Sequence, residues 1–217
     1  MTRTLMTAAC IVALLPMVAG CKIVKNPDPD DTEHAAANMT DDERMAALAA
    51  ETYEPKLLPY MDEKAQDIGA VIAAVAQDLD AAGESLGIPK SSEGSPWNFV
   101  ATGNGTVVAS KRDSRAATLD VDIDGDNAAD LAIQLGPVVK GTALRDATTF
   151  YVFTDFRDQI EFAKLGRALN DAASAAIDIP EGDLIGATVA FTGAFSLPKQ
   201  GDRILLVPVR LSAGGGQ

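Results

Sequence analysis

Four aspartates at regular spacing form the strongest candidate for a metal site in this sequence. They occupy relative positions 1, 3, 5 and 9 of one short segment: Asp122, Asp124, Asp126 and Asp130. Ca²⁺ binds several oxygen ligands, and alternate side chains of a tight turn converge on one point. The spacing predicts a structural calcium loop that stiffens a hairpin.

Two positions depart from the EF-hand pattern. Asn127 stands where a glycine is expected, and Ile133 offers no oxygen where a bidentate glutamate is expected. The alternative interpretation is a strand with one wet face, followed by an Asp-Gly turn, which acidic proteins often contain. Ile133 fits a buried strand position better than a ligand position.

Arg145 and Asp146 follow a segment bent by two glycines and a proline. A guanidinium offers paired donors that suit a polyol or a carboxylate. Together with Asp155 and Gln159, near the start of a predicted helix, they form the predicted ligand or partner site. The alternatives are a structural turn at Arg145, helix capping by Asp155, and a carboxylate-based hydrolase, which we rank last.

Cys21 ends a segment with the pattern of a secretory signal, in which Arg3 precedes an apolar stretch. Val18-Ala19-Gly20-Cys21 resembles the bacterial lipobox, in which the chain is cut before the cysteine and both its thiol and the new amino terminus carry acyl chains such as palmitate. An ordinary signal peptide or anchor helix is the alternative. We predict lipidation of Cys21 and a periplasmic location. Lys22, in place of an aspartate, mildly favours the outer over the inner membrane.

Composition excludes several classes of function. Cleavage before Cys21 removes Cys10 and one cation, so the net charge changes from −13 to −14 and no disulfide is available. The acidic balance argues against nucleic acid and against electrostatic adhesion to anionic lipid. The single histidine, His34, precedes the folded part, and a Cys/His zinc site lacks ligands.

The chain divides into five predicted regions, which are a signal peptide (1–20), a flexible acidic tether (21–38), a helical segment (39–90), a β-barrel-like domain (97–212) and a tail (213–217). A capping box at Thr40–Glu43 begins the first helix, and Pro55 should interrupt the helical region. A second helix is predicted over Tyr60–Ala82, and a third over Arg157–Ala175 with Asp155 as its cap.

Short strands surround this third helix. We predict strands at Phe99–Thr102, Thr106–Ser110, Ala117–Ile123, Leu131–Val139, Thr149–Phe153, Gly186–Leu197 and Arg203–Leu211. Trp97, which opens this region, is interpreted as core and not as a sugar-stacking platform. Several strands, one helix and two closing strands resemble the OB-fold barrel, so the predicted class is α+β with N-terminal helices followed by an antiparallel barrel.

Several motifs resemble a bacterial family of periplasmic lipoproteins of unknown function. They are Cys21-Lys22-Ile23-Val24, Trp97-Asn98-Phe99, the segment from Gly136-Pro137 to Ala147, Phe153-Thr154-Asp155-Phe156-Arg157-Asp158-Gln159-Ile160, and Ala168-Leu169-Asn170. The resemblance implies an accessory role beside a sugar ABC transporter and names no catalytic residue. The expected function is a non-enzymatic accessory that binds a sugar or a transporter component, with an envelope protein-interaction module as the alternative.

Overall fold

A computed structural model of the chain describes residues 39–180 and 182–214. The predicted signal peptide, Cys21 and the tether lie outside the described residues. From Met39 onward the chain forms one compact unit. None of the helices in the described ranges is long and apolar enough to cross a bilayer.

Six α-helices and six strands make up this unit. The helices are α1 (Asp41–Thr52), α2 (Leu58–Lys64), α3 (Ile68–Gln77), α4 (Leu79–Leu86), α5 (Ala143–Asp146) and α6 (Gln159–Ala176). The strands are β1 (Gln66–Asp67), β2 (Trp97–Lys111), β3 (Ala116–Asp122), β4 (Leu131–Pro137), β5 (Thr188–Leu197) and β6 (Ile204–Gly214).

Five of the strands close into a barrel. The order is β2-β3-β4-β6-β5, and β5 pairs with β2 to complete the circle. All pairings within the barrel are antiparallel except that of β4 with β6. With α6 inserted between the third and fourth barrel strands, this is the predicted OB-type Greek-key barrel, and the α+β class is confirmed.

Two buried clusters account for the core. The first fills the barrel with alternate residues of its strands, among them Phe99, Leu119, Ile133 and Phe195, and includes the α3 residue Val71. The second lies between the helices and the outer barrel wall, where α1, α2, α5 and α6 pack against β2, β5 and β6. On the side of the barrel that meets the helices, both faces of β2, β5 and β6 are therefore buried, one inside the barrel and one against the helices.

The N-terminal helices begin as predicted and then differ. Thr40 Oγ1 accepts from Glu43 N at 3.3 Å, and Glu43 Oε2 accepts from Thr40 N at 2.7 Å, which is the predicted capping box. Pro55 does not stop the helical region, because a π-helical turn over Tyr53–Leu57 carries the chain from α1 into α2.

The single helix predicted over Tyr60–Ala82 is wrong. The chain leaves the helix at Ala65, and again at Asp78, so that α2, α3 and α4 are separate. Asp67 Oδ1 accepts from Ala70 N at 2.9 Å and Asp78 Oδ1 accepts from Ala81 N at 3.0 Å. Each aspartate therefore begins a new helix as an N-cap, a role that competes with continuing the previous one.

The predicted break at Gly103-Asn104-Gly105 is also wrong, since β2 runs through it. A Cβ at Gly103 would lie 2.4 Å from Ile68 Cγ2, and one at Gly105 would lie 2.4 Å from the carbonyl oxygen of Asp122. These glycines let neighbouring segments of the chain approach β2 closely, and they do not form a turn.

The strand predicted at Thr149–Phe153 does not form. Tyr151 is buried in the helical cluster, where its hydroxyl is 2.5 Å from Thr52 Oγ1. The chain then enters a short 3₁₀ turn at Phe153–Asp155. The aromatic residues that favour a strand here are used for packing against helices, which overrides their β-propensity.

Candidate functional site

A pocket of about 480 Å³ opens beside α5 and the first turns of α6. Its walls are Pro89, Ser91, Arg145, Asp146, Thr148, Thr149, Tyr151, Val152, Phe153, Thr154 and Phe162. The sequence predicted two of these residues, Arg145 and Asp146, as part of a binding site. The pocket is mainly apolar with one ion pair, the composition usual for small-molecule and partner sites.

Arg145 and Asp146 form the ion pair among the pocket walls. Arg145 Nε and Nη2 both lie 2.7 Å from Asp146 Oδ1, and Thr142 Oγ1 donates to Asp146 Oδ2 at 2.5 Å. The two residues lie on the short helix α5 and not on a strand, so their side chains point roughly 100° apart instead of to opposite sides, and the long Arg145 side chain can reach Asp146. The pair is neutral as a unit.

Aromatic rings pack directly against this ion pair. The Arg145 guanidinium lies 3.8 Å from the centroid of the Phe162 ring, and its Nη1 donates to the Phe162 carbonyl oxygen at 2.9 Å. Phe153 meets Phe162 edge-on at 5.6 Å. Phe153 is nevertheless 46% exposed and Val152 47%, so they form an apolar rim around the mouth.

Gly166 makes room for this arrangement. A Cβ there would lie 2.7 Å from Thr142 Cγ2 and 3.6 Å from Arg145 Nη1. The glycine lets α5 approach α6 closely, which brings the guanidinium over Phe162. No sequence signal marked this role.

Asp155 and Gln159 are not among the pocket walls. Asp155 ends the 3₁₀ turn, and Gln159 is the first residue of α6; both are exposed. The cap of α6 is Asp158, whose Oδ1 accepts from Glu161 N at 2.8 Å, so the predicted cap at Asp155 is wrong by three residues. The predicted four-residue site therefore divides into a pocket pair and two exposed residues near its edge.

Glu161 is a carboxylate whose burial the sequence did not predict. It is 5% exposed, accepts from Arg44 Nη2 at 2.5 Å, and accepts from the backbone and side chain of Arg157. These donors, Arg44 first, lower the pKa of Glu161 to about 2. The pairing joins α1 to α6 over more than 100 residues of sequence, and no local pattern reveals it.

The Asp-rich loop follows β3 as predicted. Asp122 is buried, and it accepts from Gly125 N at 2.7 Å and from Asn127 N at 2.8 Å. These backbone donors, Gly125 first, lower the pKa of Asp122. The predicted wet face of β3 is wrong, because Asp120 is buried as well and pairs with Lys111 and Arg203.

Three of the four predicted metal ligands come together. Carboxylate oxygens of Asp122, Asp124 and Asp130 all lie within 4.8 Å of one another. Asp126 lies outside this group, and its Oδ1 accepts from Ala128 N at 2.7 Å. The calcium loop stays a prediction.

Calcium titration tests that prediction. If the loop binds Ca²⁺, millimolar CaCl₂ raises the melting temperature above its value in EDTA, because a ligand bound only to the native state stabilises it. Asp124→Asn is expected to abolish the rise, whereas the matched variant Asp126→Asn keeps most of it. A melting temperature that does not respond to CaCl₂ in the wild type contradicts the prediction.

Trp97 has no free face for a sugar. One face of its ring packs on Gly83, and Lys90 Nζ lies 4.2 Å from the ring centroid. Its Nε1 donates to Asp80 Oδ1 at 2.7 Å. The interpretation of Trp97 as a packing residue agrees with this geometry.

Comparison with known proteins gives one family and one structural neighbour. A family model described as predicted periplasmic lipoprotein (DUF2291) matches residues 10–212. No curated protein matches the chain. The crystal structure of an OB-fold protein from Thermotoga maritima is similar with a TM-score of 0.61 at 18% identity, over 78% of this chain and 98% of that one. A likeness at that identity supports the fold alone.

Proposed function

The chain belongs to the DUF2291 family of predicted periplasmic lipoproteins, and from that premise we propose that it is a membrane-tethered, non-enzymatic accessory of a sugar ABC transporter. The lipid is carried by Cys21, and the pocket around Arg145 binds the sugar or a transporter component. Two or more acyl chains anchor stably where one does not.

The pocket is the observation that carries this proposal. A sugar ring offers an apolar C–H face and a rim of hydroxyls. Phe153 supplies an exposed aromatic face, while Asp146 keeps acceptor capacity beyond its bonds to Arg145 and Thr142. Since Arg145 is already paired with Asp146, the pocket favours a neutral polyol over a carboxylate or phosphate.

The side chains of the pocket support a binding role over catalysis. Among its lining residues, the ionisable ones are Arg145, Asp146 and Tyr151. Burial raises the pKa of Tyr151, and its hydroxyl is engaged with Thr52. A hydrolase of the two-carboxylate type needs a second carboxyl group across the pocket, and Asp146 is the single one that lines it.

A protein-interaction module is the second candidate, and the apolar rim favours it. Val152 and Phe153 are about half exposed, and Ile160, 65% exposed, lies nearby in the first turn of α6. Exposed apolar side chains beside a pocket are typical of partner-binding sites. Both candidates use one place in the molecule and predict different ligands for it.

A thermal-shift screen with pentoses and hexoses tests the first candidate. A sugar present at 100 times its dissociation constant adds about 2.7 kcal/mol of stability, which raises the melting temperature of a domain of this size by roughly 8 °C. Asp146→Asn and Phe153→Ala are expected to remove most of this shift.

Ile185→Ala is the matched control, because Ile185 is 57% exposed and is not a wall of the pocket. Its shift should equal that of the wild type. If no sugar changes the melting temperature, direct sugar binding is rejected. A photo-crosslinking residue at position 153, compared with one at 185, then tests for a protein partner.

A further inference from the structure

The mouth of the pocket carries an exposed apolar patch. Val152 is 47% exposed, Phe153 46% and Ile160 65%, and we call these three residues the rim patch. They are three of the five large hydrophobic side chains that the described part of the chain exposes. Single exposed apolar residues are ordinary, whereas a cluster of them beside a pocket marks a docking surface.

The border of the rim patch is acidic. Asp155 and Asp158 are exposed and lie within the segment 152–160 that carries the patch. The cations around the pocket are already balanced by carboxylates: Arg44 and Arg157 by Asp41 and Glu161, Lys164 by Asp42, Arg145 by Asp146, and Lys90 by Asp80. Within the described ranges, neither Asp155 nor Asp158 is in a salt bridge with any of them. The patch therefore favours an apolar partner with basic flanks and disfavours anionic lipid.

The described chain begins beside this patch. Arg44 Nη1 donates to the carbonyl oxygen of Met39 at 3.4 Å, and Nη2 of the same guanidinium lies 2.5 Å from Glu161 Oε1. Glu161 directly follows Ile160 in the first turn of α6. The residues that precede Met39 therefore join the described unit next to the turn that carries part of the rim patch.

One segment before Met39 has the chemistry that the patch favours. Lys22-Ile23-Val24-Lys25, which lies outside the described residues, has two large aliphatic side chains between two lysines. The sequence of residues 22–38 contains no other lysine or arginine and no other large aliphatic side chain. The thirteen residues from 26 to 38 span at most ~45 Å, which is ample for a site next to Met39.

We propose that the segment Lys22-Ile23-Val24-Lys25 docks on the rim patch of its own chain, with its aliphatic side chains on the patch and its lysines towards Asp155 and Asp158. Covalent linkage gives a nearby segment an effective concentration in the millimolar range, so even a weak contact is populated. The lipid on Cys21 then lies beside the pocket mouth. A sugar or a transporter component has to displace the segment to reach the pocket.

This proposal rests on the proposed function for the role of the pocket, and it adds a segment of the same chain that controls access to it. Its test uses neither a sugar nor a transporter component. If the segment is not docked, the thermal-shift screen still decides whether the pocket binds a sugar. Failure of the docking and failure of the proposed function are therefore distinguishable.

Photo-crosslinking tests the docking on the full lipidated chain in phosphatidylcholine nanodiscs. p-Benzoylphenylalanine replaces Phe153 or, at a comparison position away from the pocket, Ile185. Cleavage before aspartate releases residues 21–27 as one peptide, and mass spectrometry identifies its crosslink. We expect about tenfold more of this product from position 153 than from 185, because the tethered segment is concentrated at the patch. The yield should not change when the nanodiscs are diluted.

Two double substitutions supply the matched comparison. Ile23→Asp with Val24→Asp is expected to lower the yield from position 153 about tenfold, because the aliphatic side chains that leave water on docking are lost. Ala35→Asp with Ala36→Asp adds the same two charges to the chain before Met39 and should keep most of the yield.

A charge exchange tests the acidic border. Lys25→Glu is expected to lower the yield several-fold, because it places a carboxylate beside Asp155 and Asp158. Asp155→Lys added to this variant should restore part of the yield, since it re-creates a pair of opposite charges. A change in folding would not give such a rescue.

Four outcomes would overturn the proposal. Equal yields from positions 153 and 185, or an equal loss in the two double variants, would show that the segment has no preference for the patch. Products that join two chains would assign the patch to a second copy of the protein. Crosslinks to phospholipid without any to residues 21–27 would assign it to the bilayer.

Discussion

Glu161→Gln is expected to lower the free energy of unfolding by roughly 3 kcal/mol, because the glutamine loses the charge-assisted bonds that the buried carboxylate accepts from Arg44 and Arg157. Asp41 remains a partner of both arginines. For a domain of this size the melting temperature falls by roughly 9 °C. Chemical denaturation at pH 7 measures the effect. The α1–α6 contact is the part of the structure that loosens.

The same variant changes the dependence of stability on pH. The pKa of Glu161 is about 2 in the native state, against an ordinary value of 4.5. The native state therefore binds fewer protons than the unfolded chain between these values, so the contribution of Glu161 is complete above pH 4.5 and disappears as the pH falls towards 2. The difference in stability between the wild type and Glu161→Gln should shrink over this range.

Glu63→Gln provides the control. Glu63 pairs with Lys64 at 2.9 Å, and its side chain is 70% exposed. Exposed pairs contribute at most about 1 kcal/mol, so the variant should denature almost as the wild type does. If Glu63→Gln and Glu161→Gln lower the free energy of unfolding by the same amount, the buried network is not what joins α1 to α6.

Gly83→Ala is expected to destabilise the domain by roughly 3 kcal/mol. The added Cβ would lie 2.0 Å from Trp97 Cδ2. The indole cannot turn aside easily, because it is held by the bond from Nε1 to Asp80 and by Lys90 over its ring. Either α4 moves away from β2 or the tryptophan leaves its place.

Fluorescence distinguishes these two responses, since Trp97 is the single tryptophan of the chain. Displacement of the ring shifts its emission to longer wavelength, whereas movement of α4 lowers stability with less change in emission. Gly94→Ala is the control, because no atom lies within 4 Å of the added Cβ there. A Gly83→Ala protein as stable as Gly94→Ala would show that the contact with Trp97 is not tight.

Local patterns predicted the elements whose signals lie within one segment. The capping box at Thr40–Glu43, the position of β3, the final hairpin and the position of α6 all follow from neighbouring residues. The order of these elements was enough to predict the barrel class. Two of the failed predictions were decided by a distant contact, at Gly103 against Ile68 and at Tyr151 against Thr52. The helix predicted over Tyr60–Ala82 failed for a local reason, the N-caps at Asp67 and Asp78.

The candidate site shows the same division. The sequence identified Arg145 and Asp146 by residue type, but Phe162, Phe153 and Pro89 became pocket walls only because α5, α6 and the loop after α4 meet. Asp155 and Gln159 were included because they are close in sequence to that segment. The structure leaves them outside the pocket.

The sequence by itself predicted a periplasmic lipoprotein, an anchor at Cys21 and the class of fold, and it contains no cysteine or histidine after His34, because these depend on composition and on short motifs. Tertiary structure alone decided which charges are buried, as at Glu161 and Asp120. The energy of a charge depends on its solvation and its neighbours. Those are set by residues far away in the chain.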